Sequence, residues 1–359
     1  MTLSEYEKKE WDSLQQRRAN ALSKKARHLL PSAVRDQISA TVDVVKQAPA
    51  AELAAAAYGS ATTELGKIIG GAASLTVSSD SVLKQFQEAG HGIAALGNIH
   101  DLDLEAVDSV ARLNRIRWGH SGSAALSGLA SAAAITGGGV LLAKGTVHDE
   151  GARKAPGFGI VATAYAADIA CVLGLAARTV ASTARYYGYD PRRPEEQVFM
   201  MSVIGLGMAT GTPAKTAAYA ELSQLTQLLF RDATWEKLGK KALTKIAQQF
   251  ANKFSVGLTK KKLGQFVPVA GMVVGAVLNF ALIDRIAAAA NDAYRERFLV
   301  EKPGGTLSGV AKGAGSPISL EDGTINVIEL LEEEDALPAL APDAKPPAGN
   351  EGLPGQIPQ

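Results

Sequence analysis

The residues of this chain best suited to chemistry are three charged side chains in and just after one apolar segment. Asp168 lies among alanine, isoleucine and cysteine, Arg178 follows ten positions later, and Asp190 follows a tyrosine-rich end. A buried carboxylate without a partner is costly, so Asp168 requires a cation or strong hydrogen bonds. Such a carboxylate either fixes helix register through an ion pair or forms a functional polar site inside the protein.

The cations available to Asp168 are arginines of the same segment or of a later apolar segment. Arg178 lies close to three helical turns away, near the same helix face. Arg185 and Arg285 are the other candidates. The sequence leaves open which of these arginines pairs with the carboxylate, and Asp168, Arg178 and Asp190 are our candidates for a polar core.

Recognised catalytic and metal-binding motifs do not accompany these residues. The chain shows no nucleophile elbow, no histidine-centred triad and no P-loop glycine spacing. His91 and His100 have acidic neighbours, but their spacing matches no standard ligand pattern. We therefore predict no catalytic residue, no metal and no cofactor. A hydrolase-like enzyme around Asp168 is kept as an alternative.

Composition and charge narrow the class of protein further. The 37 basic and 36 acidic residues give a net charge of +1, which argues against nucleic acid as a partner. The single cysteine, Cys171, allows no intramolecular disulfide and is predicted to be a buried thiol in a reducing compartment. The N-terminus is polar where a signal peptide requires an apolar region. We expect a cytoplasmic protein.

The elements that must position Asp168, Arg178 and Asp190 include four uncharged stretches rich in glycine, alanine and serine. Small residues allow close helix contacts in membranes, but they also suit the packed core of a soluble helical bundle. Three glycines in a row at 137–139 predict a break or hinge in the first stretch. The stretches are residues 121–143, 155–167, 197–214 and 263–283.

The last of these stretches has the flanks of a membrane-contacting segment. Lys260, Lys261 and Lys262 directly precede it, and lysines in this position favour contact with anionic headgroups. Pro268 and Gly271 predict a bend within it. We therefore expect membrane lipids or a membrane protein as partners, at the inner face of the cell membrane.

Several short motifs occur in an order that carries a family resemblance. A PGxG turn opens the segment that contains Asp168, a YGxD sequence closes it, and a glycine-rich PVxGxxxGxxxN sequence follows near the C-terminal side, before AYRERFL at 293–299. The motif residues are Pro156, Gly157, Gly159, Tyr187, Gly188, Asp190, Pro268, Gly271, Gly275 and Asn279.

Over residues 60–300 the chain resembles the EcsC family, whose founding bacterial member accompanies a membrane exporter of the ATP-binding cassette type. The resemblance implies an all-helical protein near a membrane and supplies no catalytic residues. The N-terminal helices and the tail after residue 303 lie outside it.

The helical patterning along the chain predicts an all-α multi-helix bundle with Gly/Ala-rich apolar central helices. We divide it into an amphipathic region (1–60), an EcsC-like domain (61–300) and a Pro/Gly-rich acidic tail (301–359). The tail composition predicts disorder over most of its length, with a small hairpin around Asp322 and Gly323.

Three functional hypotheses follow from the sequence. We prefer a membrane-associated helical protein that binds lipid or an integral membrane partner, with an accessory role beside an exporter as the finer expectation. The alternatives are the hydrolase-like enzyme and a soluble helical scaffold without membrane contact.

Overall fold

The computed structural model describes residues 3–23, 58–64, 78–111, 113–144, 156–230, 235, 238–262, 270–302 and 325–336. Side chains at 114–115, 132, 135–144, 156–161, 230, 259–262 and 270–274 lie outside the description. Over these ranges the secondary structure is helical and contains no strand, which confirms the predicted all-α class.

The described residues form ten numbered α-helices, a short helical segment at 58–64 and a 3₁₀ helix at Leu96–Asp101. In chain order they are α1 (Glu5–Ser23), α2 (Ser79–Glu88), α3 (Leu104–Val110), α4 (Leu113–Lys144), α5 (Pro156–Tyr186), α6 (Pro194–Met208), α7 (Thr212–Phe230), α8 (Lys240–Lys262), α9 (Ala270–Glu301) and α10 (Val327–Glu333).

Three long helices, α4, α5 and α9, form the centre of the molecule and pack against one another. The predicted break at 137–139 is wrong, because α4 continues from Leu113 to Lys144 through all three glycines. Each glycine costs a helix about 1 kcal/mol relative to alanine. Packing against α5 and α9 compensates for this cost, since most helix stability in proteins comes from tertiary contacts.

The remaining helices surround one half of this central group. α6 packs on α5 and α9, α7 packs on α6, and α1 lies across α7, α9 and α3. In this half, the C-terminal end of α5 is almost entirely buried, from Val172 to Tyr189 with few exceptions. The main hydrophobic core therefore lies where α6, α7 and α1 cover the central helices.

Part of the acidic tail forms a helix where the sequence predicted a hairpin. Residues 327–333 form helix α10, so the predicted hairpin is wrong for this part, while Asp322 and Gly323 lie outside the described residues. Asn326 caps the helix by accepting hydrogen bonds from the backbone N–H groups of Ile328 and Glu329. Apolar residues at 327, 328, 330 and 331 recur at helical spacing and are buried, which explains the helix.

Candidate functional site: an apolar tip on a charged base

Helices α4 and α9 run antiparallel, and the contacts between them show which residues of the two helices lie at the same height along the helix axes. Arg117 on α4 donates two hydrogen bonds to the Asp284 carboxylate on α9, at 2.5 and 2.8 Å. One residue further along α4, the Trp118 ring lies 5.6 Å from the Phe280 ring, measured between centroids. We call the level of these four residues the neck.

Beyond the neck lies the region that we call the tip, made of residues 119–144 of α4, 156–171 of α5 and 270–283 of α9. Apart from Asp168 and Lys144 it contains no Asp, Glu, Lys or Arg. The antiparallel arrangement thus gathers the described parts of three of the four uncharged stretches at one end of the molecule. We call the opposite half, with α1, α3, α6 and the C-terminal half of α9, the base.

The tip and neck expose apolar side chains to the surroundings. Of the six exposed large apolar side chains in the described residues, four lie there: Trp118, Leu126, Leu129 and Val277. Trp118 is 64% exposed and Leu126 is 69% exposed. Because residues 118, 126, 129 and 133 are three, four or eight positions apart, they form one stripe along α4. Exposed apolar patches on a protein surface mark sites that contact another protein, a membrane or a ligand.

The α5 face of the tip is exposed as well. Thr163, Ala167 and Cys171 follow one another at four-residue spacing and are all exposed. The prediction that Cys171 is buried is therefore wrong. Its helix is covered on the sides that face α4 and α9, and the thiol lies on the remaining side.

Asp168 joins the three helices of the tip. It is 1% exposed, and its Oδ1 accepts hydrogen bonds from Ser127 Oγ of α4 at 3.2 Å and from Asn279 Nδ2 of α9 at 2.8 Å. Glycines bring the helices close enough for these bonds. A Cβ on Gly128 would lie 2.7 Å from Asn279 Nδ2 and closer still to the Gly275 carbonyl oxygen. The two motif residues Gly275 and Asn279 thus lie beside the buried carboxylate.

The predicted polar core of Asp168, Arg178 and Asp190 does not come together. Helix α5 is continuous, so ten residues place Arg178 about 15 Å along the axis from Asp168, which is too far for an ion pair. Asp190 lies after the end of α5 and forms an ion pair with Arg192 at 2.7 Å. Asp168 is therefore a buried junction of three helices, and Asp190 belongs to the base.

The other expected arginine partners of Asp168 also bond elsewhere. Arg185 lies 17 residues along α5 from Asp168, about 25 Å, and donates to the Ala181 carbonyl oxygen. Arg285 donates to the Ala281 carbonyl oxygen within α9. The amide of Asn279 and the hydroxyl of Ser127, rather than these arginines, stabilise the carboxylate in its buried position.

The base contains a first charged cluster around Arg295 of α9. Its guanidinium forms ion pairs with Glu10 of α1, at 2.5 Å, and with Asp108 of α3, and it donates to the Tyr187 hydroxyl at 3.1 Å. Tyr6 donates to Asp108 at 2.7 Å, and burial together with this carboxylate raises the pKa of Tyr6 to about 12. A cavity of about 450 Å³ lies beside this cluster.

A second charged cluster surrounds Arg297, whose side chain is almost fully buried. It pairs with Glu196 of α6 and Glu301 of α9, both at 2.7 Å, and its guanidinium lies 3.9 Å from the centre of the Tyr189 ring. Tyr294 donates to Glu196 at 2.5 Å, and burial raises the pKa of the Tyr294 hydroxyl well above its ordinary value. Hydrogen bonds and opposite charges compensate for burying Arg297.

The YGxD motif lies in this base. Tyr187 donates to Asn291 at 2.9 Å. Gly188 has a φ of +90°, and a Cβ there would lie 2.7 Å from Nε2 of His100, so the backbone conformation and the space both require glycine. Tyr187 and Gly188 therefore connect α5 to α9 and to the 3₁₀ helix that carries His100.

Other residues predicted from the sequence lie partly or wholly outside the description. Pro156, Gly157 and Gly159 form the first turn of α5, where proline is favoured because no backbone N–H is needed, but their surroundings are not described. Gly271 lies in α9 and Lys260, Lys261 and Lys262 end α8, again without described surroundings. Pro268 and the predicted bend beside it lie outside the described residues.

Sequence reasoning missed the charged clusters of the base. Arg295 and Arg297 entered it only as part of the AYRERFL motif, and their partners Glu10 and Glu196 are 285 and 101 residues away in the chain. The available signal was the density of charge in the C-terminal half of α9, a helix that is otherwise apolar.

Two further features of the described residues, their acidic, histidine and cysteine side chains and the length of their apolar helices, bear on function. No three His, Cys, Asp or Glu side chains within the described ranges converge as metal ligands would. One described segment, Ala162–Tyr186, is long and apolar enough to cross a membrane, with a mean hydropathy of 1.4. Since 67% of its apolar window is buried in the protein, it equally fits the core helix of a soluble protein.

Comparison with known proteins places this architecture in a family. The chain is similar to the "Uncharacterized protein YdbA" of Bacillus subtilis (strain 168), with 33% identity over 139 residues, which are 38% of this chain and 48% of that protein. The alignment thus spans about half of the relative's length. No solved structure matches significantly.

The model of the EcsC protein family matches residues 2–299. The match begins well before residue 60, where the sequence resemblance began, so α1 belongs to the family domain. The ion pair between Glu10 of α1 and Arg295 in the base also indicates this. The segment that carries α10 lies beyond the match. On this match, the chain belongs to the EcsC protein family.

Proposed function

We propose that this protein associates with a membrane by inserting its tip, while the base remains in water on the cytoplasmic side. One observation carries the proposal: the antiparallel helices gather the described parts of three uncharged stretches at one end, and that end, together with the neck, exposes Trp118, Leu126, Leu129 and Val277. Transfer of such side chains from water into lipid is favourable, at about 25 cal/mol per Å² of apolar area.

The neck has the composition of a membrane interface. Trp118 lies beside the ion pair of Arg117 and Asp284, so an amphipathic ring and charged groups occur at the same level. Tryptophan is enriched at the depth of lipid headgroups for this reason. The neck therefore supports a depth of insertion at which the tip contacts acyl chains and the Arg117–Asp284 pair meets headgroups.

Asp168 fits a tip in lipid because it faces the interior of the helix trio. Charged side chains inside membranes are costly and usually turn inward toward hydrogen-bond partners. Asp168 is buried between Ser127 and Asn279, so insertion would not expose it to acyl chains. The same junction would hold the three helices together in lipid, where apolar burial no longer drives helix association.

The binding partner in this proposal is lipid or an integral membrane protein that contacts the same tip. The accessory role beside an ATP-binding cassette exporter, which the family resemblance implies, corresponds to the second case. In that case the exporter would cover the stripe of Trp118, Leu126 and Leu129 within the membrane.

One observation favours the soluble scaffold as a second candidate. Most of the apolar window in α5 is buried inside the protein, as in a soluble core. The exposed stripe on α4 separates the two hypotheses, because a soluble scaffold gives it no role.

The test uses Trp118 as a depth probe. A variant with Trp11→Phe and Trp235→Phe keeps Trp118 as its single tryptophan. We expect its fluorescence to shift to shorter wavelength with phosphatidylcholine/phosphatidylglycerol vesicles and to be quenched by lipids brominated on the part of the acyl chain nearest the headgroup. The same variant with Leu126→Gln and Leu129→Gln is the control and should show neither effect. An emission spectrum that vesicles leave unchanged would refute tip insertion.

A further inference from the structure

Helix α10 of the acidic tail lies on a groove formed by α6, α7 and α8. Val327, Ile328, Leu330 and Leu331 are buried against these helices. The groove belongs to the family domain, whereas α10 lies beyond the family match, which ends at residue 299. A segment outside the family domain thus occupies a surface of that domain.

The acidic side of α10 covers a basic face of α8. Lys245 Nζ lies 2.7 Å from the Glu334 carboxylate, Lys253 Nζ lies 3.5 Å from that of Glu329, and Gln249 Nε2 donates to Glu333 at 3.0 Å. These three residues of α8 are four positions apart and therefore share one face.

Helix α8 as a whole is strongly basic. Between Lys240 and Lys262 it has seven lysines and no Asp or Glu. Lys245 remains about half exposed even when paired. A helix with one charge sign and a polar face of this kind attracts anionic surfaces, and the acids of α10 reduce that attraction where they cover it.

The direction of α8 follows from that of α6. Glu196, at the start of α6, pairs with Arg297 in the base. Near the end of α6, a Cβ on Gly207 would lie 2.7 Å from Ile286 Cα, and Ile286 is two residues from the neck residue Asp284. Helix α6 therefore runs from the base toward the neck.

Helix α10 starts near the end of α6 that faces the neck, and α8 begins near the base, because Trp235, five residues before α8, lines a cavity with Arg297 and Glu301. A Cβ on Gly205 would lie 3.4 Å from the Ile325 carbonyl oxygen, and α10 then meets Lys253 before Lys245. Lys253 is therefore nearer to the neck than Lys245. The nine residues from Lys253 to Lys262 extend α8 by about 13 Å in the same direction. The basic face of α8 thus leads toward the level at which we propose that headgroups lie.

A buried carboxylate holds the start of α10 in the groove. Glu221 of α7 accepts hydrogen bonds from Ser202 Oγ of α6 and from the Val327 N–H of α10 at 3.0 Å. Burial raises the pKa of Glu221 to about 7, and the hydrogen bonds from Ser202 and Val327 act in the opposite direction. A carboxyl group that is costly to bury in its ionised form makes this attachment easier to reverse.

We propose that α10 is an acidic strap over the basic face of α8, and that anionic lipid headgroups bind this face when the strap leaves. The proposal rests on the proposed membrane association and adds its regulation. With the strap in place, the acids of α10 pair with Lys245 and Lys253. Release frees both lysines and leaves the basic helix pointing toward the neck.

The test releases the strap without changing charge. Leu330→Ser with Leu331→Ser removes two buried contacts of α10, and circular dichroism checks that the helical domain is intact. We expect this variant to bind phosphatidylcholine/phosphatidylglycerol vesicles about thirtyfold more tightly than the wild type, since two lysines are freed and each lysine near an anionic surface adds about 1 kcal/mol. On pure phosphatidylcholine vesicles the two proteins should bind equally.

A second pair of variants isolates the strap charges. Glu329→Gln, Glu333→Gln and Glu334→Gln together neutralise the strap, while Glu88→Gln, Asp101→Asn and Glu105→Gln remove the same charge at exposed sites elsewhere. Both sets should strengthen binding to anionic vesicles because each removes three negative charges from the protein. The strap set should strengthen it further, because it also frees Lys245 and Lys253. Hydrogen exchange at 327–333 should become faster in the wild type when anionic vesicles are added.

The outcomes separate this inference from the proposed function. Equal affinity of the wild type and the Leu330→Ser, Leu331→Ser variant for anionic vesicles would overturn the strap, even where Trp118 is quenched by brominated lipid. Tighter binding of that variant without quenching of Trp118 would support the strap and refute tip insertion. If no form of the protein binds anionic vesicles, both are wrong.

Discussion

The tip and the base are built on the same three long helices but use opposite chemistry. Helix α9 has no charged residue from 270 to 283 and seven from 284 to 301. In the base, charges are buried and paired with partners far along the chain. In the tip, apolar side chains are exposed, and small residues bring the helices into contact.

This contrast indicates which half is built for water. Burial of paired charges requires precise geometry and surrounding protein, which α1, α3 and α6 provide in the base. The tip lacks such a covering on the stripe of Trp118, Leu126 and Leu129. A structure that covers one half so completely and leaves the other apolar and exposed is consistent with a tip that a membrane or a membrane protein covers.

The largest effect on stability is expected from breaking the second charged cluster of the base. Arg297→Ala leaves Glu196 buried without its cation, which should destabilise the protein by about 3–5 kcal/mol. Arg192→Ala, in an exposed ion pair with Asp190, is the matched control and should cost less than about 1 kcal/mol. Urea unfolding followed by circular dichroism compares them. Equal losses for the two variants would contradict the role of the buried cluster.

The next largest effect concerns pH and Glu221. Because burial raises the pKa of Glu221 from 4.5 to about 7, the folded protein binds more protons than the unfolded chain between these pH values. The contribution of Glu221 to stability is therefore greatest below pH 4.5 and decreases as pH rises to about 7, by roughly 3 kcal/mol in total.

Glu221→Gln isolates this contribution from the other titrating groups. We expect the wild type to lose stability relative to the variant as pH rises through this window, measured by urea unfolding at several pH values. A constant difference between the two proteins across the window would show that Glu221 does not titrate in it.

A smaller effect should come from the close helix contact in the tip. Gly128→Ala places a methyl group against the Gly275 carbonyl oxygen and Asn279, so we expect a loss of about 1–3 kcal/mol from overpacking. Gly122→Ala on the same helix is the matched control, since a Cβ there meets nothing within 4 Å. It should stabilise the helix by up to about 1 kcal/mol. Thermal unfolding distinguishes the two, and a stabilising Gly128→Ala would argue against the contact.

The smallest effect on stability is expected on the exposed stripe. Leu126→Gln with Leu129→Gln removes no buried contact and should change the unfolding free energy by less than about 0.5 kcal/mol. A large loss would show that these leucines are covered within the protein in solution. This variant is therefore suitable for testing the tip without disturbing the fold.

The all-α fold class was predictable from sequence because helical spacing is a local signal. The break at 137–139 was not, since it depends on packing that α5 and α9 supply. Helix α10 was mistaken for a hairpin because composition alone suggested disorder and turns, whereas Asn326 and the apolar spacing after it favour a helix.

The site was predictable only in part. The burial of Asp168 followed from its apolar surroundings, but its partners Ser127 and Asn279 lie 41 and 111 residues away, and no local pattern indicates them. Arg178 and Arg185 are near Asp168 in sequence but far from it along the axis of α5, and Arg285 donates to a carbonyl oxygen of its own helix. The clusters around Arg295 and Arg297 were missed for the same reason, because long-range pairs become visible only once the helices are assembled.

The most direct test of the central claim is membrane fractionation of cells that express the full chain. Pellets of the wild type and of the Leu126→Gln, Leu129→Gln variant are washed with high salt, then carbonate, then detergent. We predict that the wild type stays in the pellet until detergent is added and that the variant is released by salt or carbonate. Recovery of the wild type entirely in the soluble fraction would contradict insertion of the tip and favour the soluble scaffold.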